Sequence, residues 1–374
     1  MKKRMMSLSL LAISISTIVN AEVNNNSINV SLDKASVDSK VLAEKQIKLP
    51  DNNVKKEVNP EYDNLEVQVV YNQPTASTIH GNYITKMETE IEYNDEGEAT
   101  WSKVKYVLGE GTIRPQSWGN WFLAYHVARE DFFAGKPYSE QFEDGDVGNS
   151  IIEFQPHYVQ NTDWGHWGIN VGISHESISG GLFKPRIRPF GSYRITDNVE
   201  VFTSWMFFKE MFYKKGNTDN NILETDSSLT YHFDKGNVAL GYFAKFGKNI
   251  DDDHSRNYDD GSSHTEFGHF SELTWKPRIH YRFDNGLGVT LYSEFGKYDN
   301  PTTHPAAGQT YDRYEEWYRK YGVFMEYPIR GDLILFGEGN YRKGRIKETY
   351  TDQSAYETRD RTNRFGMIGL NFLF

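Results

Sequence analysis

From residue 79 onward, apolar and polar side chains alternate in short runs. Segment 118–128 puts Trp121, Leu123, Tyr125 and Val127 on one parity, and segment 222–233 does the same with Leu223, Leu229, Tyr231 and Phe233. Segment 237–247 gathers Val238, Leu240, Tyr242 and Phe246. In segment 266–283, Leu273, Trp275, Ile279, Tyr281 and Phe283 share one parity, while Glu272, Lys276, Arg278, His280 and Arg282 hold the other. Successive side chains of a strand point to opposite faces, so each run has one apolar and one polar face. Segment 199–209 is ambiguous, because Trp205 and Phe207 fall on one parity and Met206 and Phe208 on the other. The last thirteen residues, TNRFGMIGLNFLF, again place Gly366, Ile368, Leu370 and Phe372 together. The pattern predicts strands at 80–93, 100–108, 117–128, 150–160, 165–175, 185–195, 199–209, 222–233, 238–248, 266–283, 288–297, 315–327, 332–342 and 362–374. The short run Leu65 to Tyr71 is left outside this set.

Two kinds of break separate the runs. Asn161-Thr162-Asp163, Thr196-Asp197-Asn198, Asp234 to Asn237, Asp284-Asn285-Gly286 and Arg330-Gly331-Asp332 are rich in residues that tolerate positive φ, the chemistry of tight hairpin turns. Longer loops are expected at 129–149, 210–221, 249–265, 298–314 and 343–361. Short turns alternating with long loops mark a membrane barrel, with turns in the periplasm and loops outside the cell. An exposed apolar strand in water invites edge pairing, whereas in lipid a closed barrel satisfies every backbone group. The expectation is an all-β fold: a transmembrane, antiparallel, up-and-down β-barrel of about fourteen strands.

The start of the chain sets the compartment. Met1 to Ala21 reads as a secretory signal peptide, with Lys2, Lys3 and Arg4 ahead of an apolar stretch and Val19-Asn20-Ala21 at the cleavage site. Residues 22–78 are polar and carry no aromatic before Tyr62, which predicts a flexible periplasmic extension; 79–374 is the barrel. Aromatic residues make up 15% of the chain while the mean hydropathy is −0.67. Aromatic girdles around a wet interior would produce that combination. With no cysteine, thiol catalysis and cysteine-held metals are excluded. A formal net charge of −11 argues against a nucleic-acid partner.

Charges on one parity call for water on that side, because Arg or Lys facing mid-bilayer lipid costs roughly 2–4 kcal/mol. The candidate pore-lining set is Lys86, Glu88, Glu90 and Glu92, then Arg186, Arg188 and Arg194, Glu224 and Asp226, Lys276, Arg278 and Arg282, and Glu294, Glu326, Glu338 and Arg342. Barrels near eight strands are filled by side chains, and about fourteen leave room for a channel. The same charges could also brace the wall as ion pairs. Asp251, Asp252, Asp253, Asp259 and Asp260 form an extracellular acidic loop, read as solvated carboxylates rather than a calcium site because the spacing lacks regular alternation. No cofactor and no resident metal are expected. The acidic balance predicts a weak preference for cations.

The motifs Ile195-Thr196-Asp197-Asn198-Val199, Asp251 to Asn257 and Phe283-Asp284-Asn285-Gly286-Leu287 resemble the outer membrane protein G type of monomeric porin over about residues 80–374. That resemblance implies a monomer in the outer membrane of a Gram-negative bacterium, surrounded by outer-membrane lipid and passing hydrophilic solutes such as sugars and oligosaccharides. The terminal strand is similar to those of other outer-membrane barrels, where the last aromatic is part of the signal read by the barrel-assembly machinery. The family's acid closure depends on paired histidines late in the chain, and segments 315–327 and 332–342 contain none. The related oligogalacturonate-specific porins line a narrower pore with arginines, and Arg186, Arg188, Arg194, Arg278 and Arg282 could form such a track for acidic saccharides.

Two readings of another class compete. An outer-membrane enzyme would draw on His126, His157, Ser174, His175 and Glu176, although no G-x-S-x-G or H-E-x-x-H motif is present and no catalytic residue is assigned. A surface adhesin would rest on the long loops, with Phe132 and Phe133 exposed in one of them.

Overall fold

Alternation becomes a wall when each run finds a partner on both sides. The computed structural model describes residues 79–134, 146–177, 181–213, 220–249, 255–257, 263–265, 269–301, 313–349 and 356–374. Its strands are β1 (Ile79–Tyr93), β2 (Ala99–Pro115), β3 (Trp121–Ala134), β4 (Asp146–Thr162), β5 (Gly165–Glu176), β6 (Leu182–Thr196), β7 (Val199–Phe212), β8 (Asn220–Phe233), β9 (Gly236–Asn249), β10 (Ser255–Asn257), β11 (Ser263–Thr265), β12 (His269–Arg282), β13 (Gly288–Pro301), β14 (Arg313–Arg330), β15 (Leu333–Thr349) and β16 (Tyr356–Leu373). Fourteen of them close into one barrel, each wall strand paired with its neighbours in sequence order. β10 and β11 pair only with each other. Closure runs from Asn82↔Leu373 to Tyr93↔Thr362, and Phe374 exchanges two backbone hydrogen bonds with Gly81 at 2.9 and 3.1 Å. No free edge remains in this wall, the condition for a sheet in hydrocarbon.

Each of the fourteen expected strands has its counterpart, but several boundaries move. β2 was expected to stop at 108 and runs on to Pro115. Leu108 is an extra residue between Val107 and Gly109, so the inward parity switches from Lys103, Lys105 and Val107 to Glu110 and Thr112. A bulge of this kind breaks the alternation without ending the strand. Residues 116–118 form a 3-10 turn, so β3 begins at Trp121 rather than 117.

The loops expected at 129–149, 210–221, 298–314 and 343–361 are shorter than predicted, because polar strand ends keep pairing beyond the apolar band. β15 and β16, for example, stay in register out to Thr349↔Tyr356. The segment 249–265 contains the small β10–β11 hairpin. The loop side also carries tight connections that the expected scheme lacked. At 94–98 the Asn94 side chain accepts the Glu98 N–H at 2.8 Å, with Gly97 at φ 78.

Exposure identifies the outer face. Leu229 is 50% exposed, Leu240 49%, Trp275 53% and Leu291 55%, all on the apolar parity. In water such a continuous apolar surface would aggregate; against acyl chains it is solvated. Segment 199–209 is resolved by burial: Trp205 and Phe207 are exposed, whereas Met206 is buried. Near the turns, Trp121, Tyr158 and Trp167 form an aromatic ladder with centroids 5.2 and 5.7 Å apart, the interfacial girdle of a membrane barrel. On the same side, the β12–β13 turn holds Asp284 against Lys235 of the β8–β9 turn, which raises the pKa of that ammonium above its ordinary value.

Candidate functional site

Contacts that skip a strand show which face is concave. Tyr318 of β14 donates to Glu272 of β12 at 2.5 Å, passing over β13. Lys276 of β12 meets Asp226 of β8 at 3.3 Å, passing over β9. Side chains converge in this way only on the inside of a curved sheet, and they lie on the parity opposite the exposed apolar residues. The buried side chains there include Asn149, Asn170, Ser204, Thr274, Thr290 and Glu316 beside apolar ones such as Ile84, Phe122 and Phe336, so the interior carries polar and charged groups that a soluble barrel's core would exclude.

Every candidate pore-lining residue lies on that inner parity. Lys86 sits 3.2 Å from Glu88 and 3.4 Å from Glu110. Glu90 faces Lys103 at 3.5 Å, and Glu92 accepts from Arg361 at 3.0 Å. Arg186 pairs with Glu153, and Arg188 donates to Ser204 at 3.0 Å. Arg194, near the β6–β7 turn, is in register with Glu200. Glu224 pairs with Lys245 at 2.9 Å. Arg282 pairs with Glu326, and Glu294 pairs with Lys320 at 3.1 Å. Glu338 accepts from Tyr292 and from Asn340, the latter at 2.9 Å. Arg342 bonds Glu316 at 3.0 Å. The inner wall is a mesh of opposite charges linking neighbouring and next-neighbouring strands.

Sequence reasoning missed the centre of that mesh. Glu316, with 2% of its side chain exposed, takes Arg342 at 3.0 Å and Arg361 at 2.5 Å, and Arg361 continues to Glu92. Arg361 falls in an expected loop, and Glu110 lies past the expected end of β2. Glu316 shares the parity of Glu326, which was the available signal. The arginine track is partly occupied: Arg186 and Arg282 already hold carboxylates. Arg278 has no carboxylate within ion-pair distance among the described residues. The acidic loop residues Asp251, Asp252, Asp253, Asp259 and Asp260 fall outside the described residues, as does the run Leu65 to Tyr71.

Glycine flattens this wall. Tyr292 lies directly opposite Gly322, and Tyr318 opposite Gly296. A Cβ on Gly322 would sit 2.2 Å from the Tyr292 ring, and one on Gly296 would sit 2.3 Å from that of Tyr318. The rings therefore lie along the sheet instead of crossing the interior.

The residues considered for catalysis do not assemble. Ser174 is buried on the inner face, and His175, its neighbour in sequence, points outward. His157 is buried and stacks on Phe122 with centroids 4.5 Å apart. His126 pairs with Glu110 at 2.9 Å, with no serine joined to it. Ser192 Oγ lies 2.7 Å from His166 Nδ1, but both side chains are buried in the wall. Phe132 and Phe133, expected in a loop, belong to β3.

Among solved structures, the toluene transporter TodX of P. putida is 10% identical, aligned over 79% of this chain and 90% of that one, with a TM-score of 0.41. The outer membrane protein OmpT of Vibrio cholerae is 11% identical over 80% and 100%, with a TM-score of 0.37. The NanC porin is 11% identical over 76% and 98%, with a TM-score of 0.31. Likenesses this weak carry nothing about solute or mechanism. No curated relative matches at a significant level. The family comparison is decisive: residues 64–374 match the OMPG-porin 1 family, taking in part of the segment expected to be extension. A closed wall, apolar outside and charged inside, matched to that family over most of its length, means that this chain belongs to the OMPG-porin 1 family and forms a channel in the Gram-negative outer membrane.

Proposed function

We propose that the barrel is a water-filled, broadly permissive pore for the passive diffusion of sugars and oligosaccharides, working as a monomer without enzymatic activity. The observation that carries this reading is the charged inner wall. Its ion pairs run around the wall from strand to strand, and its large rings lie on glycines, so neither is aimed across the axis. Charges neutralised pairwise give a solute polar partners without a deep well to hold it. The pore-lining role falls to the candidate set from Lys86 to Arg342 together with Glu316 and Arg361. The proposal includes a signal peptide at 1–21, a periplasmic extension at 22–78, and insertion by the barrel-assembly machinery through the terminal strand.

Liposome swelling tests the reading. Uptake should fall smoothly with sugar size and depend little on identity. Saturable uptake confined to acidic oligosaccharides would favour the arginine-track pore instead, with Arg194 and Arg278 as its cations without a carboxylate at ion-pair distance among the described residues.

Two further results are expected. Gly296→Val with Gly322→Val should push both tyrosine rings inward, lowering single-channel current and costing about 1–3 kcal/mol of stability by overpacking. Unchanged current in the folded variant would show that these rings do not border the conducting path. In a KCl gradient, the reversal potential should show a small cation preference, because screened charges act only within roughly 8 Å of the wall at physiological salt. Neutralising Asp251, Asp252 and Asp253 should reduce it most at low salt. Clear anion selectivity would contradict the proposal.

A further inference from the structure

One part of the outer face is not apolar. Lys297 of β13, Arg319 of β14, Lys343, Arg345 and Lys347 of β15, and Arg364 of β16 all lie on the lipid-facing parity. They gather at the loop end of four adjacent strands. Beside them sit Phe295, opposite Arg319, and Tyr341, opposite Arg364, with Tyr321 opposite Tyr341; all three are exposed, and Phe295 and Tyr321 pack edge to face at 6.1 Å. That is the composition of an interfacial belt with cations at headgroup height above it.

The acidic residues available here do not balance the cations. Asp299 and Glu315 are engaged by Lys297 and Arg313, with contacts at 2.6 Å for Arg313–Asp299 and 2.8 Å for Lys297–Glu315. Asp360 is held by Lys343 at 3.0 Å. Arg319 and Arg345 are exposed and have no carboxylate within ion-pair distance among the described residues. Arg319 is moreover directly opposite Lys343, and Arg345 lies between Trp317 on one side and Asp360 on the other, the carboxylate that Lys343 takes. Like charges placed face to face across a sheet are destabilising unless an anion comes between them. The inner wall, by contrast, pairs nearly all of its charges, so the surplus on the outside is a feature of this patch.

We propose that Arg319, Lys343 and Arg345 bind the phosphorylated headgroup of an outer-leaflet lipid whose acyl chains run down over Phe295, Tyr321 and Tyr341. The guanidinium groups of Arg319 and Arg345 offer paired donors that match phosphate oxygens, and Lys343 adds a point charge between them. Position selects a lipid over a free anion: the cations face the bilayer, and the surface beneath them is apolar. The inference rests on the outer-membrane placement of the barrel and not on its conductance.

Native mass spectrometry of the folded, detergent-solubilised protein tests it, with diphosphorylated lipid A, its dephosphorylated counterpart and inorganic phosphate as probes. The wild type should retain lipid A, and should retain the dephosphorylated form and inorganic phosphate far less. The triple variant R319Q/K343Q/R345Q should weaken retention by about a hundredfold, taking each cation as worth roughly a fivefold factor near an anionic headgroup. Arg129→Gln, at an exposed outward position on distant β3, should leave it unchanged. Should the triple variant fail to fold, Arg345→Gln alone should still lower occupancy. Equal retention of both lipid forms, binding of inorganic phosphate as tight as that of lipid A, or undiminished retention in the substituted protein would overturn the proposal. Unchanged sugar passage in the triple variant would keep this result separate from the pore reading.

Discussion

Leu240→Arg is expected to block assembly of the barrel, whereas Lys245→Arg on the same strand is expected to be tolerated. Leu240 points outward between Leu229 of β8 and Pro277 of β12, so the new guanidinium would lie in hydrocarbon. The cost is about 2 kcal/mol or more, depending on depth. Lys245 faces inward against Glu224 at 2.9 Å, and arginine can keep that pair in water. The heat-modifiable gel shift of folded barrel against unfolded chain reads both outcomes. A Leu240→Arg protein that folds as fully as the wild type would show the strand register to be wrong there.

Glu316→Gln should produce the largest stability loss among single inner-wall changes. It removes the one carboxylate that holds both Arg342 and Arg361 and leaves two guanidinium groups facing each other. Removing one partner from a buried ion pair costs about 3–5 kcal/mol. Water in the lumen offsets part of this, so a loss of about 2–3 kcal/mol is expected in urea unfolding of the detergent-solubilised barrel. Adding Arg342→Gln should recover part of it, because the repulsion is then relieved. If Glu316→Gln unfolds at the wild-type midpoint, the network does not brace the wall.

These two residues also show how far the sequence could be read. Leu240 belongs to a run with clean period-two alternation, so its strand, its face and its environment were all legible. Glu316 sits on a predicted strand, but its importance comes from Arg361, 45 residues later and two strands away. Local pattern carries no information about which charges meet across an intervening strand. The same limit explains Tyr292 over Gly322: a glycine in a strand signals a close approach, but only the register says what approaches. Strand ends were misjudged for a different reason. Beyond the apolar band a strand needs no lipid-facing residues, so β15 and β16 continue through polar sequence that looks like loop. The bulge at Leu108 hid the second half of β2 by shifting its parity.

The central claim is that the inner wall encloses continuous water from one side of the membrane to the other. Single-channel recording of the refolded protein in planar bilayers tests it most directly. Discrete, long-lived current steps whose size scales with the conductivity of the bathing salt are the predicted result, since screened, paired charges leave bulk-like electrolyte in the lumen. A protein that is folded by the heat-modifiable gel shift, inserts into the bilayer and yet passes no current would contradict it.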